Sequence, residues 1–229
     1  MSTDPQFLHA IARTLESPDV PARLELADGR AFNFSVVRSD GQEELRSQLL
    51  PRLNGEKWGV YEWISDAMLY PGFVVSIERE GEDRSSGFLA FDTRVFIFNV
   101  GQQESLRISV TVEPKVVYVS PDARGQGFSS AFVALLCGQM QHTLGLIETA
   151  MQTSLKGSRV KDITLALEAE CVSEEGARFV RNAFRACQVG LQDFRSQRPA
   201  DRCWGADITD AVDYSDWADE DELVAVPCR

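Results

Sequence analysis

The chain has 229 residues, 44% of them hydrophobic and 25% charged, the composition of an ordinary globular chain long enough for one substantial core with some decoration. With 23 basic against 35 acidic residues its formal charge is −12, which opposes binding to nucleic acid or to an anionic membrane surface and favours a cationic partner. The cysteines, at positions 137, 171, 187, 203 and 228, are odd in number and include no Cys-x-x-Cys pair, so neither a disulfide framework nor a metal site is expected.

No early run joins basic residues to an apolar stretch, and no apolar run approaches bilayer length, so a cytoplasmic protein without membrane contact is expected. Cys137 and Cys187 read as small core residues.

Thr3, Asp4 and Pro5 form a helix start, and Phe7, Leu8, Ile11, Ala12 and Leu15 follow at helical spacing. Asp28-Gly29 between two alternating runs is a hairpin signal, and Phe32 to Val37 reads as the first strand of a main sheet. Leu45, Leu49, Leu50 and Leu53 predict a second helix, opened by Glu43 and Glu44. An aromatic segment follows with Trp58, Tyr61, Trp63 and Tyr70, in which core packing accounts best for Trp63. FVVSIER and GFLAFDTRVFIFN then read as strands, and RVFIFN and LRISVTV could each be separate, adding a hairpin to the meander.

The stretch from Val116 to Phe132, VVYVSPDARGQGFSSAF, organises the rest. Val116 to Val119 favour a pleated strand, Ser120, Pro121 and Asp122 end it, and Gly125 and Gly127 permit a close backbone turn before an apolar helix. A helix beginning there leaves its first N–H groups unpaired, which suits a phosphate or diphosphate. The loop lacks the Gly-Lys-Ser/Thr of a Walker loop and the three spaced glycines of a Rossmann turn. It resembles the acyl-CoA-binding motif of the GNAT superfamily of N-acetyltransferases, Arg/Gln-x-x-Gly-x-Gly/Ala. Arg124, Gly125, Gly127 and Ser129 fall on the motif, with Ser129 departing from the usual Gly or Ala.

That resemblance implies an α+β, GNAT-like fold: a mostly antiparallel central sheet, flanked by helices, whose fourth and fifth strands splay apart. It implies acetyl-CoA, or another acyl-CoA, as cofactor. The diphosphate would bind Arg124, Gly125, Gln126, Gly127, Phe128 and Ser129, and the pantetheine arm would lie along Val117, Tyr118 and Val119. Residues 32–190 would form the domain, with an N-terminal helix and hairpin arm over 1–31 and an acidic tail over 191–229. Tyr61 and Tyr70 would be the best candidates to line the acceptor pocket.

Beyond the turn, FSSAFVALLCGQMQHTLGLIETAMQTSL keeps helical spacing, with Gly138 and Gly145 marking a kink or a break into two helices. His142 reads as a structural residue. DITLALEAECV then alternates as a strand, and SEEGARFVRNAFRAC as a helix capped by Ser173.

Transfer of an acetyl group to an amine needs a base, a polarised thioester carbonyl and a proton for the leaving thiolate. A backbone N–H near Val119 could polarise the carbonyl. Glu113 is the first choice as base, with Glu168 and Glu170 as alternatives, and a solvated strand-end charge is the competing reading of each. Two-residue alternation would place Glu113, Lys115, Val117 and Val119 on one face and Tyr118 on the other. Where the family carries Asn and Tyr on the last helix, this chain has Glu174 and Arg181, and an arginine does not deliver a proton at neutral pH.

The tail runs Asp201, Asp207, Asp210, Asp213, Asp216, Asp219, Glu220, Asp221 and Glu222 against Arg202 and Arg229. Such a run reads as a solvated arm, with Leu223 to Val226 able to add an edge strand. The expected function is an acetyl-CoA-dependent N-acetyltransferase acting on a small amine, a protein lysine or an N-terminus, with a homodimer as a further expectation. The alternative is a catalytically inactive member of the same fold that senses acyl-CoA or serves as a protein-interaction module.

Overall fold

The computed structural model describes residues 4–38, 40–53, 72–100, 105–155, 159–171, 173–197 and 206–214. The strands are β1 (Arg23–Glu25), β2 (Ala31–Val37), β3 (Phe73–Arg79), β4 (Gly87–Val100), β5 (Ser105–Val119), β6 (Arg159–Cys171) and β7 (Ala206–Tyr214). The helices are α1 (Pro5–Leu15), α2 (Gln42–Leu49), α3 (Phe128–Thr153) and α4 (Glu174–Ser196). The strands form one sheet in sequence order, antiparallel from β1 to β5 and parallel from β5 through β6 to β7. Parallel neighbours need a crossover, which α3 and α4 provide.

Local chemistry sets the helix ends as expected. Asp4 accepts a hydrogen bond from the Gln6 N–H at 2.9 Å with Pro5 in the first turn of α1, and Ser173 Oγ accepts from the Gly176 N–H at 3.1 Å before α4. Gly29 takes φ +82° in the β1–β2 hairpin.

Helices α1, α3 and α4 cover one face of the sheet. Leu8 and Leu15, Phe128, Phe132, Leu136 and Leu144, and Val180 and Ala183 pack there against Val75, Leu89, Ile108, Val110 and Leu165. On the other face α2 lays Leu45 and Leu49 on Val74, Phe88, Ala90 and Tyr118. The α1–β1 connection is tied to α3 by the fully buried Gln139, whose Oε1 accepts from the Asp19 N–H at 2.7 Å and whose Nε2 donates to Ser17 O at 3.1 Å.

Four expectations change. The apolar residues between Gly87 and Val119 lengthen one hairpin rather than add another: β4 and β5 pair from Gly87↔Val119 to Val100↔Ser105, with one register shift at Ala90/Phe91. Helix α3 runs unbroken through Gly138 and Gly145. It is also long and apolar enough to cross a bilayer by length and composition, but it lies in the core with Ala131, Phe132, Leu136 and Leu144 buried. Residues 206–214, assigned to the solvated tail, form β7 against β6 from Ile163↔Ala206 to Cys171↔Tyr214, whereas Leu223 to Val226 lie outside the described residues.

The feature that positions the site is a fork. Strand β6 accompanies β5 only from Ser105↔Arg159 to Val112↔Leu167, while β4 accompanies β5 on its other side as far as Val119. From Glu113 to Val119, β5 therefore turns toward β6 an edge without a strand partner among the described residues, the splay expected of a GNAT-like sheet.

Candidate active site

One mouth of the fork is the glycine turn. Ser120 N–H donates to Ser86 O at 2.8 Å, a single 3-10 turn covers Pro121–Ala123, and Gly125 and Gly127 take φ +75° and +97°. Positive φ at both positions is the reason for glycine there. Phe128 then anchors α3 by an edge-on contact with Phe32, ring centroids 5.0 Å apart. Gln126 N–H donates to Ala123 O at 3.3 Å, but the N–H groups of Gly125, Gly127, Phe128 and Ser129 have no partner among the described residues. Among the described residues no side chain caps this end of α3. The result is an outward row of donors at the positive end of a 26-residue helix, able to hold a diphosphate.

Two side chains of the turn bond back to its main chain. Arg124 Nε donates to Val119 O at 3.2 Å, and Gln126 Nε2 to Asp122 O at 2.8 Å. Two other arginines approach from the sheet: Arg79 Nη1 reaches Gln126 Oε1 at 3.4 Å, and the Arg30 guanidinium, paired with Asp28, lies against Gly127. Arg30 was not singled out from the sequence; its position directly after the Asp-Gly turn was the available signal. An open hollow of about 400 Å³ adjoins the turn between Arg52, Arg84, Asp122 and Gln126, apart from the fork.

At the fork itself a β-bulge rearranges the expected faces. Ala90 opposes Val116 and Phe91 opposes Pro114, so Lys115 is an extra residue with nothing across from it. Along β4, Phe88, Ala90, Asp92 and Arg94 alternate onto the α2 side. Glu113 opposes Asp92 and Tyr118 opposes Phe88, so Glu113 shares its face with Val116 and Tyr118. Val117 and Val119 pack against the opposite, larger core. The expectation that Glu113 sides with Val117 and Val119, away from Tyr118, is thus reversed by one inserted residue. Tyr118 remains a packing residue, 6.1 Å from Phe88 by ring centroid.

The bulge gathers charge at the crotch of the fork. Glu113 and Glu168 are the first residues beyond the last β5–β6 pair, and Arg94 serves both: its Nη2 pairs with Glu113 Oε2 and lies 3.3 Å from Glu168 Oε2. Lys115 Nζ holds Glu113 Oε1, and Asp92 lies 3.8 Å from Arg94 Nε. Asp92, Glu113 and Glu168 against Arg94 and Lys115 leave one negative charge in excess. The structure therefore brings together two of the three carboxylates proposed from the sequence. Glu170 stands exposed two residues further along β6. Arg94 and Asp92 were missed, although two charges at alternate positions of an otherwise apolar strand mark a special face.

Elsewhere, Glu174 is exposed and pairs with Arg178 at 2.8 Å, while Arg181 is half-buried on α4. His142 faces Asp19 at 3.4 Å beside the α1–β1 connection, as a structural residue would. Tyr61 and Tyr70 lie outside the described residues. No cluster of metal-ligating side chains occurs among the described residues.

Strand order, the fork between two parallel strands, and a glycine turn at the head of the helix joining them make this a GNAT-like fold. No family model matches the chain, and no curated protein matches it. Among solved structures, a ribosomal-protein-alanine N-acetyltransferase from Brucella melitensis biovar Abortus 2308 is 16% identical over 64% of this chain and 86% of that one, with a TM-score of 0.33. The aminoglycoside N-acetyltransferase AAC(6')-Iy in complex with CoA is 14% identical over 74% and 90%, with a TM-score of 0.24. A predicted acetyltransferase from Clostridium acetobutylicum with acetyl-CoA is 11% identical over 66% and 86%, with a TM-score of 0.28. At these identities and scores the likenesses carry no argument about function, and the fold assignment rests on the strand order and the fork.

Proposed function

We propose that the chain is an acetyl-CoA-dependent N-acetyltransferase that passes the acetyl group directly to an amine. The observation that carries this reading is the continuity of three features along the line of β5: N–H donors of Gly125, Gly127, Phe128 and Ser129 without a partner among the described residues just past its end, an open edge from Val119 back to Glu113, and the Glu113–Glu168 carboxylate pair at the crotch of the fork. The donor set fits the co-substrate. Main-chain N–H groups at a helix N-terminus, with Arg30 and Arg79 nearby, suit its diphosphate, and the open strand edge suits the amides of its pantetheine arm. When bound, it supplies the activated acetyl group.

In this reading the chain's own residues hold the arm, polarise the carbonyl with strand N–H groups and take up the amine's proton on Glu113 or Glu168. The excess negative charge at the fork and the −12 of the chain favour a cationic acceptor such as a small polyamine, a lysine or an N-terminus.

Calorimetry with acetyl-CoA tests the binding half. The unaltered protein binds, and Gly127→Glu, which puts a carboxylate against the diphosphate, does not. Failure of the unaltered protein to bind sinks the reading. A second reading, an acyl-CoA-binding protein without catalysis, is favoured by Glu174 and Arg181, which leave α4 without a tyrosine proton donor. It calls for binding with no thiol release on any amine.

A further inference from the structure

The absence of a tyrosine on α4 leaves open what protonates the departing thiolate, and we infer that Lys115 does, with Glu113 restoring its proton. This rests on the acetyltransferase reading above. The bulge is the starting observation. Lys115 is the one residue of β5 between Pro114 and Val119 with no opposing residue on β4, and it sits on the stretch whose other edge is also without a strand partner. A lysine there is unexpected on packing grounds, since Val116 to Val119 beside it are apolar and its side chain is only 25% exposed. It is held nevertheless, with Nζ on Glu113 Oε1.

Position along the strand argues in the same direction. An arm anchored by its diphosphate at Gly125 to Ser129 and running up the open edge passes Val119 and Val117 before it reaches Lys115. Four residues of strand cover about 13 Å. The thioester end then arrives where an ammonium and a carboxylate already touch. Arg94 cannot take the role, because a guanidinium keeps its protons, but a lysine ammonium is an established general acid. The groups around Lys115 on this face are Glu113, Asp92, Arg94 and Glu168.

The transfer balances. The acceptor ammonium loses one proton to solvent before attack. The amine nitrogen then bonds to the carbonyl carbon, the C–S bond breaks with its electron pair going to sulfur, and the second nitrogen proton passes to Glu113. Lys115 gives a proton to sulfur, and Glu113 returns its newly acquired proton to the neutral lysine. Both residues end as they began. Glu113 can take that proton while both its oxygens are paired, because each carboxylate oxygen has a second lone pair.

The test compares the unaltered protein with Lys115→Met and Lys115→Arg by three measurements: calorimetric binding of CoA, the ultraviolet thiolate absorbance of bound CoA against pH, and thiol release from acetyl-CoA with spermidine, poly-lysine and kanamycin as amine probes. All three proteins bind CoA within about threefold. The bound thiol ionises at lower pH in the unaltered protein and in Lys115→Arg than in Lys115→Met, because a cation faces the sulfur. Thiol release falls about 100-fold or more in both variants, since arginine keeps the charge but cannot give up the proton. Retention of activity by Lys115→Arg within about threefold makes Lys115 a charge partner only and overturns the inference. So does an identical thiol titration in the unaltered protein and Lys115→Met. Binding without release by the unaltered protein overturns it while leaving the cofactor reading intact, and no binding at all removes both.

Discussion

Arg30 lies so close against Gly127 that a Cβ on the glycine would fall 2.4 Å from its Nη1. A cation thus rests at the positive end of α3, balanced on one side by Asp28, whose carboxyl its guanidinium holds below the ordinary aspartate range. Bound anionic co-substrate would sit better beside this pair of positive groups than water does. Arg30→Ala is therefore expected to weaken acetyl-CoA binding about tenfold without loss of fold. Gly127→Ala, forced into φ +97°, should also cost about 1–3 kcal/mol of stability. Calorimetry and urea unfolding measure the two effects separately.

A second glycine is constrained by contact. At Gly87 a Cβ would lie 2.3 Å from the backbone oxygen of Tyr118, and a main-chain atom in a paired strand cannot swing aside as an arginine can. Gly87→Ala should destabilise by about 1–3 kcal/mol and disturb the β4–β5 ladder just before the glycine turn. Gly81→Ala, at φ +88° with nothing within 4 Å, supplies the comparison for strain without collision. An unfolding midpoint for Gly87→Ala equal to that of the unaltered protein would refute the contact argument.

Gln139 fastens the α1–β1 connection, and replacing it by leucine strands the Asp19 N–H and Ser17 O. About 1–3 kcal/mol of stability should go. Hydrogen exchange should accelerate around residues 16–20 well before it does in β5.

Cys137 and Cys187 meet between α3 and α4. The hydrogen bond from the Cys187 thiol to Cys137 holds Cys187 protonated, with burial pushing it further up, and draws Cys137 below the ordinary thiol range. As pH rises toward that range, Cys137 ionises first, so brief alkylation of the native protein should mark Cys137 and spare Cys187. Peptide mapping after a pH series distinguishes this order from its reverse.

The sequence made the glycine turn readable because positive φ leaves glycine almost no substitute, and the hairpin at Asp28-Gly29 for the same reason. Helix starts at Asp4 and Ser173 were readable because a capping oxygen must come from a short polar side chain. The fork was foreseen from resemblance, since no residue type marks where two strands part. The faces of β5 were misjudged because counting by twos assumes an unbroken ladder. Pro114 was the overlooked signal, for a proline inside a strand sits at an edge or a bulge. The acids of Ala206–Tyr214 hid β7, whose strand character comes from pairing with β6 rather than from its composition.

The bulge acts as a parity bit for the half of β5 that follows it. Deleting Lys115 would restore regular pairing and leave the destinations downstream unchanged, with Tyr118 still opposite Phe88 and Val117 still opposite Leu89. Flattening the bulge with Lys115 retained would instead slip the pairing by one residue and drive Tyr118 toward the α3 layer and Val117 and Val119 out toward α2. The extra residue is an insertion that the ladder absorbs, so loss of its codon would remove the Lys115 side chain while sparing the faces of Val116 to Val119.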